Sequence, residues 1–187
     1  SYSPLKHSNK GLPAAIWSAG SGKFGSKMKW AGIDEIVIEG KSSSPVLIVI
    51  EEQPDGPAVA LSPAESLLGM DTHKKILALH AEYSDAHFAV IGPAGENYTG
   101  CYFAAVAMST ENELKSGDDK CRFAGRGGMG TIMGSKNIIG FVARSADKHT
   151  KLAPETKELN KKIAQGPGST KFREANKGGL GGTWSNF

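Results

Sequence analysis

The chain has 187 residues, 24 of them glycine, with 39% apolar, 22% charged and 7% aromatic side chains and a formal charge of +3. That length suits one ordinary domain, and so mild a charge makes no electrostatic case for nucleic acid, which needs a concentrated basic stripe. Its two cysteines, Cys101 and Cys121, exclude a disulfide scaffold and an iron–sulfur cluster held by this chain alone, and no apolar run approaches the roughly 18–20 residues of a membrane span.

The first 30 residues are rich in Gly, Ser and Lys and show no sustained period. Ile33 to Glu39 reads as a β-branched, partly alternating strand. Gly40 to Pro45 is turn chemistry and Val46 to Ile50 a second, buried strand, so the two predict an antiparallel hairpin. A short apolar stretch runs to the Ser62-Pro63 break. Asp71 or Thr72 caps a helix to about Tyr83, with Ile76, Leu77, His80 and Tyr83 along one side. His87 to Ile91 is a third strand, closed by the turn Gly92 to Asn97, and Tyr98 to Met108 a fourth. Glu111 to Lys120 reads as a charged loop, Gly127 to Ser135 as a short helix and Ile138 to Ala143 as a fifth strand. Pro154 to Gln165 is a surface helix, with Pro154 in its first turn, Glu155 and Glu158 early, and Lys161 and Lys162 late. Loose alternation of strands and helices, with one hairpin, predicts an α+β fold rather than a doubly wound sheet.

Two stretches match G-x-G-x-x-G: Gly20 to Gly25 and Gly125 to Gly130. At this glycine content a lone match is close to chance expectation, and neither glycine run follows a predicted strand directly, as a dinucleotide fingerprint requires. The second match still has physical content. Arg122 and Arg126 bracket Phe123-Ala124-Gly125, and Gly127, Gly128 and Gly130 follow. Glycines can turn successive N–H groups onto one concave side, a following helix adds the positive end of its dipole, and guanidiniums grip phosphate through paired donors. The segment therefore reads as a phosphate cradle, or equally as a tight loop whose arginines pair with carboxylates elsewhere. Other residues make weaker candidates. His73, His80 and His87 recur every seven residues and read as surface or packing histidines. Cys101 reads as a core thiol, Cys121 beside Lys120 and Arg122 as a thiol of lowered pKa, and Glu96 as a turn cap or an acid/base group.

Several segments then become specific together. Phe24 to Asp34 (FGSKMKWAGID), Glu39-Gly40-Lys41, Gly69-Met70-Asp71-Thr72, Ile91 to Asn97 (IGPAGEN), Arg122 to Gly130 (RFAGRGGMG) and Met133 to Asn137 (MGSKN) occur in order. This series resembles the N-terminal domain of the aldehyde ferredoxin oxidoreductase family, the tungsten-pterin enzymes, from about Ser18 to Ala143. The resemblance implies two packed, mainly antiparallel sheets forming a base for a tungsten or molybdenum bis-pyranopterin. Two loops would hold its phosphates and a bridging magnesium. They correspond to Ala19, Ser21 and Gly22, and to Arg122, Phe123, Ala124, Gly125 and Arg126, with backbone carbonyls of Ala19 and Phe123 on the magnesium.

The implied reaction is oxidation of a small aldehyde to a carboxylic acid, with electrons passing through a [4Fe–4S] cluster to ferredoxin or a similar carrier. Related members reduce aromatic acyl-CoA rings. No catalytic residue falls in this chain. The cluster and the acid/base groups would come from remaining domains or a partner subunit, in a cytoplasmic enzyme without nucleic acid or membrane span. Residues 1–150 would be the cofactor-binding domain, lacking its own start, and 151–187 a helix and Gly-rich segment leading to further domains. The glycine run before Phe187 likewise reads as a fragment, as a chain completed by a partner, or equally as a trimmed one. Three features depart from the family pattern: Ala19 stands where an Asn is usual, Ser8 to Ala14 is longer than the usual link, and Glu111 to Lys120 resembles an insertion that covers the site or meets a partner. The alternatives are a non-catalytic assembly subunit of the same fold and a dinucleotide-binding domain.

Overall fold

The computed structural model describes residues 2–5, 14–148 and 153–166. The chain divides into two units, Ser1–Asp147 and Lys148–Phe187. The first contains strands β1 (Tyr2–Leu5) and β2 (Ala14–Trp17), helix α1 (Phe24–Trp30), β3 (Val46–Gln53), β4 (Gly56–Pro63), a 3₁₀ turn (Glu65–Leu67) and α2 (Thr72–Glu82). It continues through β5 (Ala86–Ile91), α3 (Pro93–Glu96), β6 (Val106–Met108), α4 (Glu111–Ser116), β7 (Arg122–Ala124), α5 (Met129–Ser135) and β8 (Ile138–Arg144). In the second unit the described element is α6 (Pro154–Gln165), where Glu158 and Lys162 pair one turn apart at 3.0 Å.

The main sheet runs β4-β3-β8-β5-β6-β7, and β1 and β2 form a two-stranded ribbon. Every neighbouring pair is antiparallel except β3 with β8. The fold is thus α+β, as expected. Side chains alternate across a strand, which explains the unbroken apolar run Val46 to Ile50. Leu47 and Val49 enter one core with Ile76, Leu79, Phe88 and Val142, while Val46, Ile48 and Ile50 enter another with Ala31 and Ile138. α2 covers the first face, anchored by the Asp71 carboxylate, which accepts from Lys74 N–H at 2.8 Å. α1 and Ile33, Ile36 and Ile38 cover the second.

The structure corrects several local readings. Ile33 to Glu39 forms no strand; its β-branched residues pack as an irregular cover, a use that periodicity alone does not separate from pairing. The hairpin partner of β3 is β4, joined through Pro54 and Asp55, with Gly56 at φ 126°. The fourth strand shrinks to Val106–Met108, leaving Cys101 half-buried in irregular chain rather than in a core strand. Glu111 to Lys120 contains a helix. Thr110 Oγ1 accepts from Glu113 N–H at 3.1 Å, the Glu113 carboxylate returns to Thr110 N–H, and Gly117 ends α4 at φ 73°. The run before Phe187 lies outside the described residues.

Candidate functional site

β2 delivers the chain to the first glycine loop and β7 to the second, and the structure brings the two loops together. A Cβ on Gly20 would lie 2.9 Å from Met108 Cγ and 3.4 Å from Ala124 Cβ, so the first loop lies close across the β6–β7 pair. Gly22 takes φ 123°, and a Cβ there would meet Ser109 O at 2.8 Å. Ser18, only 3% exposed, accepts the Arg126 N–H on its Oγ at 3.0 Å. That bond spans 108 positions of sequence, and Ser18 is a site residue that no local motif announces.

Arg122, Gly125 and Arg126 are exposed. Among the described residues neither guanidinium has a carboxylate partner or a hydrogen bond, so no described salt bridge ties the loop down. A Cβ at Gly125 would project into open space, and Gly127 and Gly128 hold φ 71° and 63°. The N–H groups of Ser21, Gly125 and Gly127 have no acceptor among the described residues. Phe123 adds an outward carbonyl. Ser109 N–H donates to Phe88 O at 2.9 Å; bonded and non-bonded pairs alternate along antiparallel strands, so Ala107 faces β5, while Met108 and Val106 bond Arg122 and Ala124. The N–H and C=O of Phe123 therefore point off the sheet edge. Two exposed cations, free donors and an outward carbonyl fit a phosphorylated group with an associated cation. The helix dipole contributes less than the sequence suggests: Met129 and Gly130 are buried, and Gly130 N–H donates to Ala104 O at 2.9 Å.

The C-terminal end of the first loop is clamped. Lys23 pairs with Glu111 of α4 and with Asp147 at 2.6 Å, and Lys27 reaches Asp147 at 2.9 Å and Ser145 O at 2.6 Å. Asp147 and Glu111 are held well below the usual carboxylate range by hydrogen bonds from these lysines. α4, the segment read as an insertion, is thereby fastened beside the loop. A cleft of about 330 Å³ opens here, lined by Lys23, Lys27, His80, His87, Glu111 and Asp147, but both lysines are already neutralised.

The remaining candidates resolve as structural. Glu96 is neither a simple cap nor an acid/base group: it pairs with the fully buried Lys75 and accepts Gly69 N–H at 2.8 Å. Burial pushes the Cys121 thiol up, opposite to the lowering expected from its basic neighbours, with the nearby Glu113 acting the same way. His73 Nδ1 lies 3.0 Å from the buried Glu113, and His87 Nδ1 lies 3.0 Å from Ser109 Oγ. Among the described residues no group of His, Cys, Asp or Glu could hold a metal, and no helix is long and apolar enough to cross a membrane.

Residues 3–145 match the family model for the N-terminal domain of aldehyde ferredoxin oxidoreductase. The chain belongs to the aldehyde ferredoxin oxidoreductase family. It is 40% identical over 125 residues to the tungsten-containing aldehyde ferredoxin oxidoreductase of Pyrococcus abyssi, covering 66% of this chain and 18% of that protein. The Thermococcus kodakarensis enzyme of the same name is 36% identical over 138 residues, covering 73% and 20%. An aliphatic sulfonate oxidoreductase, WOR-like subunit, of Pyrococcus furiosus is 29% identical over 145 residues, covering 70% and 21%. Among solved structures, the active-site complex BamBC of benzoyl-coenzyme A reductase, with 1,5-dienoyl-CoA, superposes with a TM-score of 0.63 at 27% identity, covering 88% of this chain and 22% of that one. The chain spans about a fifth of the length of these relatives.

Family membership is consistent with the topology around the second loop. β7 does precede Gly125 directly and α5 follows, a strand–loop–helix order that the sequence reading denied. Yet β7 is antiparallel to β6, β6 to β5 and β5 to β8, so β7 and β8 are themselves antiparallel. The parallel strand–helix–strand unit of a dinucleotide fold is absent from these aldehyde ferredoxin oxidoreductase elements.

Proposed function

We propose that this chain supplies the phosphate-binding floor for a tungsten or molybdenum bis-pyranopterin in an oxidoreductase. The observation that carries the reading is the meeting of the two glycine loops around two exposed, unpaired arginines. Arg122 and Arg126 would each grip phosphate oxygens through paired donors. Backbone N–H groups of Ser21, Gly22 and Gly125, flanked by Ala124, would add neutral donors at close range. The carbonyls of Ala19 and Phe123 would ligate a bridging magnesium, a hard cation that takes oxygen ligands. Alanine at position 19 keeps that carbonyl but offers no side-chain hydrogen bond.

When bound, the metal–pterin group supplies two-electron redox chemistry. This chain's part is to hold it and orient it, with Ser18 and the Lys23 clamp keeping the loops in register. The reaction we propose is oxidation of a small aldehyde to a carboxylic acid, with electrons leaving through a [4Fe–4S] cluster held outside residues 1–187 to ferredoxin or a similar carrier. Further domains or a partner subunit would bring that cluster and the acid/base groups.

Arg122→Ala and Arg126→Ala in the complete enzyme test the site. Both variants are expected to lose tungsten or molybdenum and pterin per polypeptide while keeping the far-ultraviolet circular dichroism of the parent. Parental metal and pterin content in both would overturn the phosphate role.

A further inference from the structure

Among the described residues, the sheet edge opposite the phosphate loops carries no further strand. β4 is the outermost strand there. Ala64 N–H donates to Pro45 O at 3.0 Å, and the register continues with Ser62 opposite Leu47 and Ala60 opposite Val49. Because bonded pairs alternate along antiparallel strands, the even-numbered residues of β4 bond to β3. The odd-numbered residues, Pro57, Val59, Leu61 and Pro63, turn their backbone groups outward. The two prolines, which have no N–H, sit where that loss leaves the β3 ladder intact. Between them Val59 and Leu61 present two N–H and two C=O groups without a partner among the described residues.

The side chains repeat the message. Val59 and Leu61 stand opposite Ile50 and Ile48 and share their face of the sheet. Ile48 and Ile50 are buried under α1 and its following segment, but Val59 and Leu61 remain 55% and 66% exposed. Natural sheets protect an edge with charges, bulges or a cover. Gly56 to Pro63 contains no charge, and its pairing with β3 has no register shift.

We propose that this edge pairs with the same edge of a second copy, antiparallel about a two-fold axis through Ala60, joining two six-stranded sheets into one. The edge is self-complementary in one register. With Val59 opposite Leu61 of the second copy, each of the two symmetric pairs exchanges two hydrogen bonds, and all outward N–H groups are satisfied by Val59 and Leu61 alone. Shifting the axis to Val59 or to Leu61 requires the carbonyl of Pro57 or Pro63 to accept and sets a leucine or valine against a proline. The chosen register also places Val59 against Leu61 on the uncovered face and Ala60 against Ala60. At each end Pro57 meets Pro63 of the second copy, neither has a donor, and the ladder stops. A Cβ at Gly32 would lie 3.4 Å from Pro57 Cδ, so the chain there runs close beside that end. Strand pairing of this length lies at the small end of specific interfaces.

Cross-linking with a defined register tests the proposal on the full chain at high protein concentration. Ala60 faces itself in a non-bonded pair, where Cα atoms come within about 4.5 Å and a disulfide can form. Ala60→Cys is expected to form a covalent dimer on mild oxidation, while Ser62→Cys, which would oppose Ala58, carries the same native thiols and stays monomeric. Leu61→Lys, at an exposed position, is expected to halve the sedimenting mass of the parent without changing its circular dichroism. A parent that sediments as a monomer overturns the proposal. So does Ser62→Cys cross-linking as fast as Ala60→Cys, or a dimer unaffected by Leu61→Lys.

Discussion

Glu96→Gln tests whether the pair it forms with Lys75 is a condition of the fold. The Lys75 side chain is fully buried; its Nζ donates to Ile91 O at 2.6 Å and pairs with Glu96. The amide oxygen of the variant can still accept from Gly69 N–H, so the change mainly strands a buried ammonium. Removing one partner of a buried pair costs about 3–5 kcal/mol. The folded protein has an escape, because Lys75 can lose its proton. Relative to an ordinary lysine at 10.5, that costs about 1.4 kcal/mol per pH unit below 10.5, hence at most about 5 kcal/mol at pH 7 and about 2 at pH 9. The sign is fixed by burial, which holds the Lys75 pKa below its ordinary value. The unfolded chain then binds more protons, and stability rises with pH towards 10.5. We expect urea unfolding of Glu96→Gln to show a loss of about 3–4 kcal/mol at pH 7 that shrinks below about 2 by pH 9. Adding Lys75→Met should restore most of it, since an apolar replacement removes the stranded charge. A loss under about 1 kcal/mol at pH 7, or one that is equal at both pH values, would refute this account.

Two histidines should shape the pH profile from opposite sides. Glu113 holds the His73 pKa above 6.5, so its contribution is complete below 6.5 and is lost as pH rises through the elevated folded value; His73→Gln should flatten that limb in pH-dependent urea unfolding. Burial lowers His87 to about 4, so stability should fall between pH 6.5 and 4 by on the order of 3 kcal/mol, and His87→Leu should flatten the acid limb. Gly134→Ala should cost about 3 kcal/mol or more in the same assay, because the added Cβ would collide with Gly95 O, a backbone atom rather than the end of a flexible side chain; a fully stable Gly134→Ala would mean that α5 shifts freely.

Sequence alone made some of this molecule legible, for identifiable reasons. Asp71 and the run Val46 to Ile50 were readable because a cap and a doubly buried strand each leave a local signature. The second glycine loop was readable because its charges and glycines are contiguous. α4 carried a readable signature that the charged composition obscured: Thr110 followed by Glu113 is a capping box. β7 and β2, three and four residues long, leave too little periodicity to detect. Lys75 and Glu96 each look like solvated charges, and only their meeting across 21 residues makes them a buried pair. The Ser18–Arg126 contact is likewise a property of tertiary structure.

The glycines carry the most instructive division. Gly125 and Gly127 face open space or turn the chain beside the arginines, as a phosphate-approaching loop requires. Gly130 and Gly134, in the same run of sequence, serve packing. A Cβ at Gly130 would collide with Ala105 O, and one at Gly134 with Gly95 O. They let α5 sink against the Ala104–Ala105 segment and against α3, and α3 is held on its other side by Lys75 through Glu96. The depth of α5 sets where Gly127 and Gly128 emerge, and thus where Arg126 is presented to Ser18. The placement of the phosphate-facing loop therefore rests on three residues that touch no phosphate: two glycines that admit a helix and one buried lysine that holds its neighbour.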